Sequence, residues 1–527
     1  MNMKKIFWGI WSILIIGGGS LYAQGINWVR AIGGSNGDVG RGIAQLSTGE
    51  YLVAGVTQSF GAGQDDAFII KLNSLGLILW SRAYGGNARD GAYDLIETSD
   101  GNYIFAGFTR SMGPGQSDVF VSKIAPDGTI IWASAVGTAT LNEIANAVYE
   151  CSDGSIIIAG IRTVGAQDEA LVAKLNSTGG LIWMRTIQGL NDDEAWDIVE
   201  ASDGNYIVTG LTNTWGSGGD DAFIAKFDPS GNLIWMKVFG GSSTERGTSI
   251  TNLADGGFMV GGLVESWGNG SRDMMITKFD VNGNWQWSNA IGGPNYDEGI
   301  AVDQTTDGGY AMVGNRQDPG NAWSVVSAKL DPSGGFLWGN YVGGPNFENG
   351  WGITATTDGG YAWVGESNSW GVGGEEVLAA KFISDGTNCW GQPWTPGVRP
   401  FTPNIVEINN PPISTSGAWQ NINPIVTIGT FLQYEVCALY EGAHETESGS
   451  GPSLVFDGGC LILRLGEPSR VSLSLYDPSG RLIGRPIEGA LLGPGQHPFS
   501  LSWLKPGVYF GRLTAGDELL TSTFIIR

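Results

Sequence analysis

Short apolar runs of six to eight residues, separated by polar tetrads rich in Asp, Ser and Gly, recur from residue 24 to residue 390. One set comprises Ala92 to Glu97, Tyr103 to Phe108, Val119 to Ile124 and Thr129 to Ala135. Runs such as Tyr206-Ile207-Val208 and Phe223-Ile224-Ala225 are continuous rather than alternating, which predicts short strands buried on both faces. Ser99-Asp100-Gly101-Asn102 and Thr306-Asp307-Gly308-Gly309 stand between such runs. Asp-Gly at that place predicts a hairpin, because the turn needs a positive φ that Gly adopts without strain.

The pattern repeats. Trp occurs at 28, 80, 132, 183, 235, 287, 338 and 390, at intervals of 51 or 52 residues. Nine residues before each closing Trp stands a Lys (71, 123, 174, 226, 278, 329 and 381), followed by a Gly turn such as Asp228-Pro229-Ser230-Gly231. A four-stranded sheet buried on both faces needs a neighbour on each side, which units arranged around an axis supply. Seven units of this length predict an all-β fold, a seven-bladed β-propeller. Gly40, Ala92, Ala145, Ala195, Gly247, Gly299 and Gly350 open the innermost strands, where convergence on the axis leaves little room. The recurring Trp is expected on the outer strand, with the strand around Trp28 completing the last blade and Trp390 leading out of the ring. The units resemble kelch, sialidase and pyrroloquinoline-quinone-type propellers in architecture alone.

Composition narrows the class. The chain has 85 Gly among 527 residues without a G-X-Y period, and 21 Trp, which excludes collagen and argues against disorder. A net charge of −24 argues against nucleic-acid binding and against docking on anionic lipid. Lys4 and Lys5, the apolar stretch Ile6 to Ile16 and Leu21-Tyr22-Ala23 predict a signal peptide over 1–23 and a secreted or cell-surface protein. No later segment is long and apolar enough to span a bilayer, so no membrane span is expected in the mature chain. Four Cys allow three pairings; Cys389 and Cys437, which bracket a Pro-rich stretch, make the most economical bridge, and Cys151 reads as a buried apolar residue.

The candidate chemistry lies on the face with the longer loops. Asp38, Asp90, Asp193, Glu245, Asp297 and Glu348, with Glu143 displaced by one place, form one carboxylate series. Asp66, Asp118, Glu169, Asp221, Asp273 and Glu376 form a second, in which the sixth unit has Ser324. Such rings could hold Ca²⁺ or meet a cationic surface partner. Alternatively each acid accepts backbone N–H bonds and ties its own loop, which the recurrence in every blade favours. No other cofactor is expected. Trp215, Trp267 and Trp370, with Phe60 and Met112 at the same place, could stack on a glycan or cover the blade edge. At one position the repeats disagree, reading Arg41, Tyr93, Asn146, Trp196, Thr248, Ile300 and Trp351, and a break in a repeat is where ligand binding can enter. The seven Lys are expected to pair with turn acids. The only His residues are His444 and His497, which excludes Ser-His-Asp and Cys-His catalysis within the ring. Hydrolysis by paired carboxylates survives.

Residues 391–452 are Pro- and Asn-rich, then Gly-, Ser- and Glu-rich, predicting an extended or hairpin-like connector and a linker. Residues 453–527 form a further all-β segment. Val471-Ser472-Leu473-Ser474-Leu475-Tyr476-Asp477-Pro478-Ser479-Gly480-Arg481, then Gly495-Gln496-His497, Pro506-Gly507-Val508-Tyr509 and the terminal Phe524-Ile525-Ile526-Arg527 follow in order. This segment resembles the C-terminal sorting domain (type A) of type IX secretion substrates of the Bacteroidetes kind; the immunoglobulin-like module of flagellar hook-cap proteins shares part of the motif. The resemblance implies a small β-sandwich, recognition by type IX-like secretion machinery, and delivery to the surface. The expected function is a non-catalytic binding or adhesion propeller. The alternatives are a carboxylate-dependent glycoside hydrolase or lyase acting on extracellular polysaccharide, and a structural surface-layer component.

Overall fold

The computed structural model describes residues 27–318, 322–371, 374–386 and, in shorter stretches, 392–439 and 453–526. The chain divides into two compact units, Met1–Leu439 and Tyr440–Arg527. The proposed signal peptide lies outside the described residues.

Each 52-residue unit becomes an antiparallel sheet. In blade 1 the strands are Asp38–Gln45, Tyr51–Thr57, Asp66–Leu72 and Ile78–Gly85, from axis to rim. The inner strands of blades 2 to 7 are Asp90–Glu97, Asn142–Glu150, Asp193–Glu200, Glu245–Asn252, Asp297–Gln304 and Glu348–Ala355. Each inner strand touches the one before and the one after, the seventh touching the first, so the ring is closed. The strand Asn27–Gly33 pairs with Glu376–Phe382, Trp28 opposite Lys381, and so supplies the outer strand of blade 7 from the start of the chain.

The core lies between blades. Leu52, Ala54, Ile69 and Tyr84 of blade 1 pack on Leu95, Phe105 and Phe120 of blade 2, all buried, and comparable clusters fill the other boundaries. A fully buried large apolar side chain contributes roughly 1.5–3 kcal/mol, so no blade is stable without its neighbours. The recurring Trp fastens one blade to the next. The indole N–H groups of Trp28, Trp80, Trp132, Trp183 and Trp338 donate to Ser74, Pro126, Ser177, Pro229 and Ser384 carbonyls at 3.1–3.2 Å, each in the Gly turn of the following blade. The ring of Trp28 lies over Gly76, where φ is +71° and a Cβ would come within 2.6 Å of it. The seven Lys pair with hairpin acids, as in Lys123–Asp100 at 2.7 Å, Lys226–Asp203 at 2.6 Å and Lys71–Glu50 at 2.7 Å.

The segment after the ring is extended, as one of the two expected alternatives has it, but it is paired to the blades throughout rather than folded on itself as a hairpin. Seven short strands follow: Gln392–Pro393, Gly397–Phe401, Asn404–Ile408, Ile413–Ser414, Ala418–Asn421, Ile425–Ile428 and Leu432–Leu439. They add a fifth, antiparallel strand to blades 6, 5, 4, 3, 2, 1 and 7 in that order. The chain thus circles the ring a second time, backwards, as a belt. An uncovered outer strand would present a row of unpaired N–H and C=O groups, and the belt supplies their partners. The propeller unit accordingly runs to Leu439 rather than to 390. Cys437 lies in the last belt strand, opposite Val29. Cys389 lies outside the described residues, and the Cys389–Cys437 bridge with it. Cys151 is free and buried, its thiol pushed up to about 11 by burial.

The second unit holds two antiparallel sheets. One contains Ser453–Asp457, Cys460–Leu465 and Gly495–Ser500; the other contains Leu482–Leu492, Ser469–Tyr476, Gly507–Ala515 and Glu518–Ile526. Val471, Leu473 and Leu475 alternate along one strand and are fully buried.

Candidate functional site

The seven inner strands share one irregularity. Their pairing with the second strand skips a residue, between Gly40 and Gly42 in blade 1 and at the equivalent place in all the others. The skipped residues are Arg41, Tyr93, Asn146, Trp196, Thr248, Ile300 and Trp351. A β-bulge releases a residue from the ladder and re-aims its side chain. The position at which the repeats differ is therefore the one the fold turns out of every innermost strand, and together these residues form a girdle around the axis. The Arg41 guanidinium lies 3.8 Å from the centre of the Trp351 ring and 5.5 Å from that of Tyr93, joining blades 7, 1 and 2. Asn146 donates from Nδ2 to the Ala195 carbonyl at 2.9 Å, and Trp196 donates from Nε1 to Glu194 at 2.9 Å.

Two residues before each bulge the ring is asymmetric. Blades 1 to 3 carry Val39, Gly91 and Ile144, paired with Val56, Phe108 and Ile161. Blades 4 to 7 carry Glu194, Arg246, Glu298 and Asn349, paired with Leu211, Leu263, Asn315 and Glu366. The polar sector is networked. Arg246 meets Asp220 at 2.5 Å, Arg272 bridges Glu265 at 2.6 Å and Glu298 at 2.9 Å, and Asn349 donates to Glu366 at 2.9 Å. Burial, with a smaller push from Asp168, raises Glu194 to about 7, and burial also raises Glu366. The sequence reading missed this sector. Its signal was a second break in the repeat, two places before the first.

The inner-strand carboxylates tie loops. Asp38 accepts from the Gly34 N–H at 2.7 Å and from Ser59 Oγ at 2.8 Å; Asp90 accepts from Gly86 at 2.7 Å and Ser111 Oγ at 2.6 Å. Asp193 accepts from Thr214 at 3.2 Å, Asp297 from Gly293 at 2.6 Å, and Glu348 from Gly344 at 2.6 Å and Ser367 at 3.0 Å. They sit one to a blade. Among the described residues, no three His, Cys, Asp or Glu side chains converge as metal ligands. At most boundaries the inner-strand acid instead faces one from the third strand of the preceding blade. A Cβ on Gly85 would lie 2.0 Å from Asp66 Oδ1 and 2.7 Å from Asp90 Oδ2; one on Gly137 would lie 2.2 Å from Asp118 Oδ1 and 2.9 Å from Glu143 Oε2. Asp221 and Glu245 flank Gly240 in the same way. Burial pushes Asp66 and Asp118 up to about 6 and Asp221 to about 7. At the two exceptional boundaries the charge is relieved differently: Ser324 takes the carboxylate's place, and Arg162 donates from Nε to Glu169 at 2.8 Å.

Trp215, Trp267 and Trp370 do not join the girdle. They are half-buried and pack on the cores between blades. A Cβ on Gly241 would lie 2.8 Å from the Trp267 ring, and one on Gly344 would lie 3.3 Å from that of Trp370.

A family model described as a domain of unknown function (DUF5122) beta-propeller matches residues 151–181. The regulatory protein FlaEY of Caulobacter vibrioides is 27% identical over 187 residues, covering 31% of this chain and 19% of that protein. Sqt1 from Chaetomium thermophilum aligns over 67% of this chain and 98% of its own, at 12% identity and a TM-score of 0.36. An endo-1,5-alpha-L-arabinanase from Thermotoga petrophila covers 68% of this chain and 99% of its own, at 9% identity and a TM-score of 0.24. The family description and the seven closed sheets agree: the first unit of this chain is a β-propeller, seven-bladed and belted.

Proposed function

We propose that this protein is a secreted or surface-displayed binding propeller, exported through its C-terminal unit, which takes its ligand at the bulge girdle and the polar mouth beside it. One observation carries the reading: seven equivalent bulges, held by a repeated frame, present six different kinds of side chain, with Trp alone used twice. A frame that needed those positions for stability would repeat them, as it repeats its Trp and Lys. Aromatic rings and amides in the girdle suit a glycan. The order of tail motifs after residue 470 supports export by type IX-like machinery. A glycan array run with the purified protein tests the binding. Trp196→Ala should reduce the strongest signal roughly tenfold or more, since aromatic anchors dominate such sites; array binding that survives this change and Trp351→Ala alike refutes the girdle as the site.

Glu194 favours a second reading. A carboxyl at about 7 beside other carboxylates can act as a general acid in glycoside cleavage. Turnover of any array hit, abolished by Glu194→Gln with binding retained, would establish it; binding without turnover removes it.

A further inference from the structure

We propose that the rim of blade 5 carries a second ligand site, apart from the girdle, in which Trp285 and Trp287 hold a ring of a neutral saccharide. The inference goes beyond the girdle reading and does not rest on it. A cavity of about 390 Å³ opens at this rim. Its walls include Trp285, Trp287 and Asn289 of the outer strand Trp285–Gly292, Ser333 of the Gly turn of blade 6, and Pro400 and Thr402 of the belt segment. Sites for small molecules span roughly 300–1,000 Å³, so one or two sugar rings fit.

The repeat is broken twice at this place. Two residues before the recurring Trp, blades 1 to 4 carry Ile78, Ile130, Leu181 and Leu233, whereas blade 5 carries Trp285. The recurring Trp287 has also let go of its turn. Blade 6 offers Asp331-Pro332-Ser333-Gly334, the same four residues as Asp228-Pro229-Ser230-Gly231, whose Pro229 carbonyl accepts from Trp183 at 3.1 Å. The Pro332 carbonyl instead accepts from the Tyr310 hydroxyl at 3.4 Å. A Cβ on Gly231 would meet Cδ2 of Trp183 at 2.7 Å, at the junction of the two rings; one on Gly334 would meet Cη2 of Trp287 at 2.6 Å, at the far edge of the six-membered ring. The indole of Trp287 is thus turned, with its pyrrole edge drawn off the turn. In blade 4 Trp235 is released as well, but there Lys237 takes the Asn282 and Gly283 carbonyls at 3.3 and 2.8 Å.

The lining selects the ligand. No side chain that lines the cavity is charged, in a chain with 28 basic and 52 acidic residues, so an ion would find no partner there. Trp285 is held in place by its own N–H, which donates to Ser288 Oγ at 2.8 Å, and Asn289 by its Nδ2, which donates to the Gly334 carbonyl at 2.9 Å. Among the described residues neither the Trp287 N–H nor Asn289 Oδ1 has a hydrogen-bond partner, and neither atom is shut off from solvent. One is a donor and the other an acceptor, two places apart on one strand, beside two indole rings. A pyranose has apolar C–H faces for the rings and edge hydroxyls that both donate and accept, which matches this set.

The test is calorimetric titration of the intact protein with cellohexaose, xylohexaose, mannohexaose and laminarihexaose, and with a proline hexapeptide. At least one hexasaccharide should bind. Substitutions borrowed from sibling blades keep the frame: Trp285→Leu installs the residue of blades 3 and 4, and Asn289→Ser that of blade 2, where Ser134 Oγ donates to the Gly179 carbonyl at 2.8 Å. Trp285→Leu should weaken binding about tenfold, since aromatic anchors dominate such sites. Asn289→Ser, which removes the amide oxygen, and Trp287→Phe, which keeps a ring without the N–H, should each cost several-fold. Failure of all four sugars to bind, binding of the peptide alone, indifference to Trp285→Leu, or indifference to Asn289→Ser and Trp287→Phe together overturns the inference. Sugar binding lost on Trp196→Ala but unmoved by Trp285→Leu leaves the girdle reading standing and removes this one. The reverse pattern upholds the rim site, and two sugars per chain, each lost with one of these variants, uphold both.

Discussion

At the scale of single residues, Trp28 shows what the repeat is for. It is fully buried, edge-on to Tyr51 at 5.5 Å between ring centres, and donates to the following blade. Trp28→Ala removes an aromatic core residue and a boundary hydrogen bond together, and should destabilise the propeller by about 3–5 kcal/mol, measured by denaturant unfolding. Gly76→Ala places a methyl against the same indole at a positive φ and should destabilise in the same direction. The Trp and Lys periods were legible because both residues hold equivalent places in successive sheets. Arg41, Tyr93, Trp196 and Trp351 were legible only as a disagreement among repeats; that the place is a bulge needed the register, which a sequence does not display. Trp215, Trp267 and Trp370 showed the reverse, since a ring covering a boundary core and a ring waiting for a sugar look alike on the page.

At the scale of elements, the boundaries between blades titrate. Asp66, Asp118 and Asp221 have folded-state values of about 6 to 7, above the ordinary carboxylate range, because burial disfavours their charge. A raised value means that the folded state holds the proton more tightly than the unfolded one. The associated stability is therefore complete below about pH 4 and lost as pH rises through 6 to 7. The hairpin acids act oppositely: hydrogen bonds from Ser155 and Lys174 outweigh desolvation and lower Asp153 to about 2, so its stabilisation is lost only in strong acid. Thermal melting should thus rise between pH 8 and pH 5. Asp118→Asn, which replaces the proton by an amide donor facing Glu143, should raise the melting temperature at pH 8 and flatten that dependence. A melting temperature that climbs steadily from pH 5 to pH 8 would contradict the assignment. The facing of these acids was hidden because each pair joins residues from two units.

At the scale of the whole molecule, blade number and closure could be read from the eight Trp, whereas the belt could not. Its strands are two to eight residues long, carry no Asp-Gly hairpins, and take their partners in reverse order. The five-stranded blades make one prediction about length. A chain ending at Leu439 retains every blade and should melt as the full-length propeller does. A chain ending at Gly386 bares seven outer edges, and should melt lower and associate as concentration rises, by calorimetry and light scattering.

Because the belt runs against the order of the blades, its final strand lies on Asn27–Gly33, beside the first strand of the whole ring. Tension applied from the C-terminal side meets Leu432–Leu439 first, then the strands on blades 1, 2 and onward, each holding two to five residues after the first. The outer layer can be drawn off in seven small steps while the four inner strands of every blade stay paired. A tethered copy of this protein would lengthen under load before giving up its ring, a mechanical fuse wound around the seven blades.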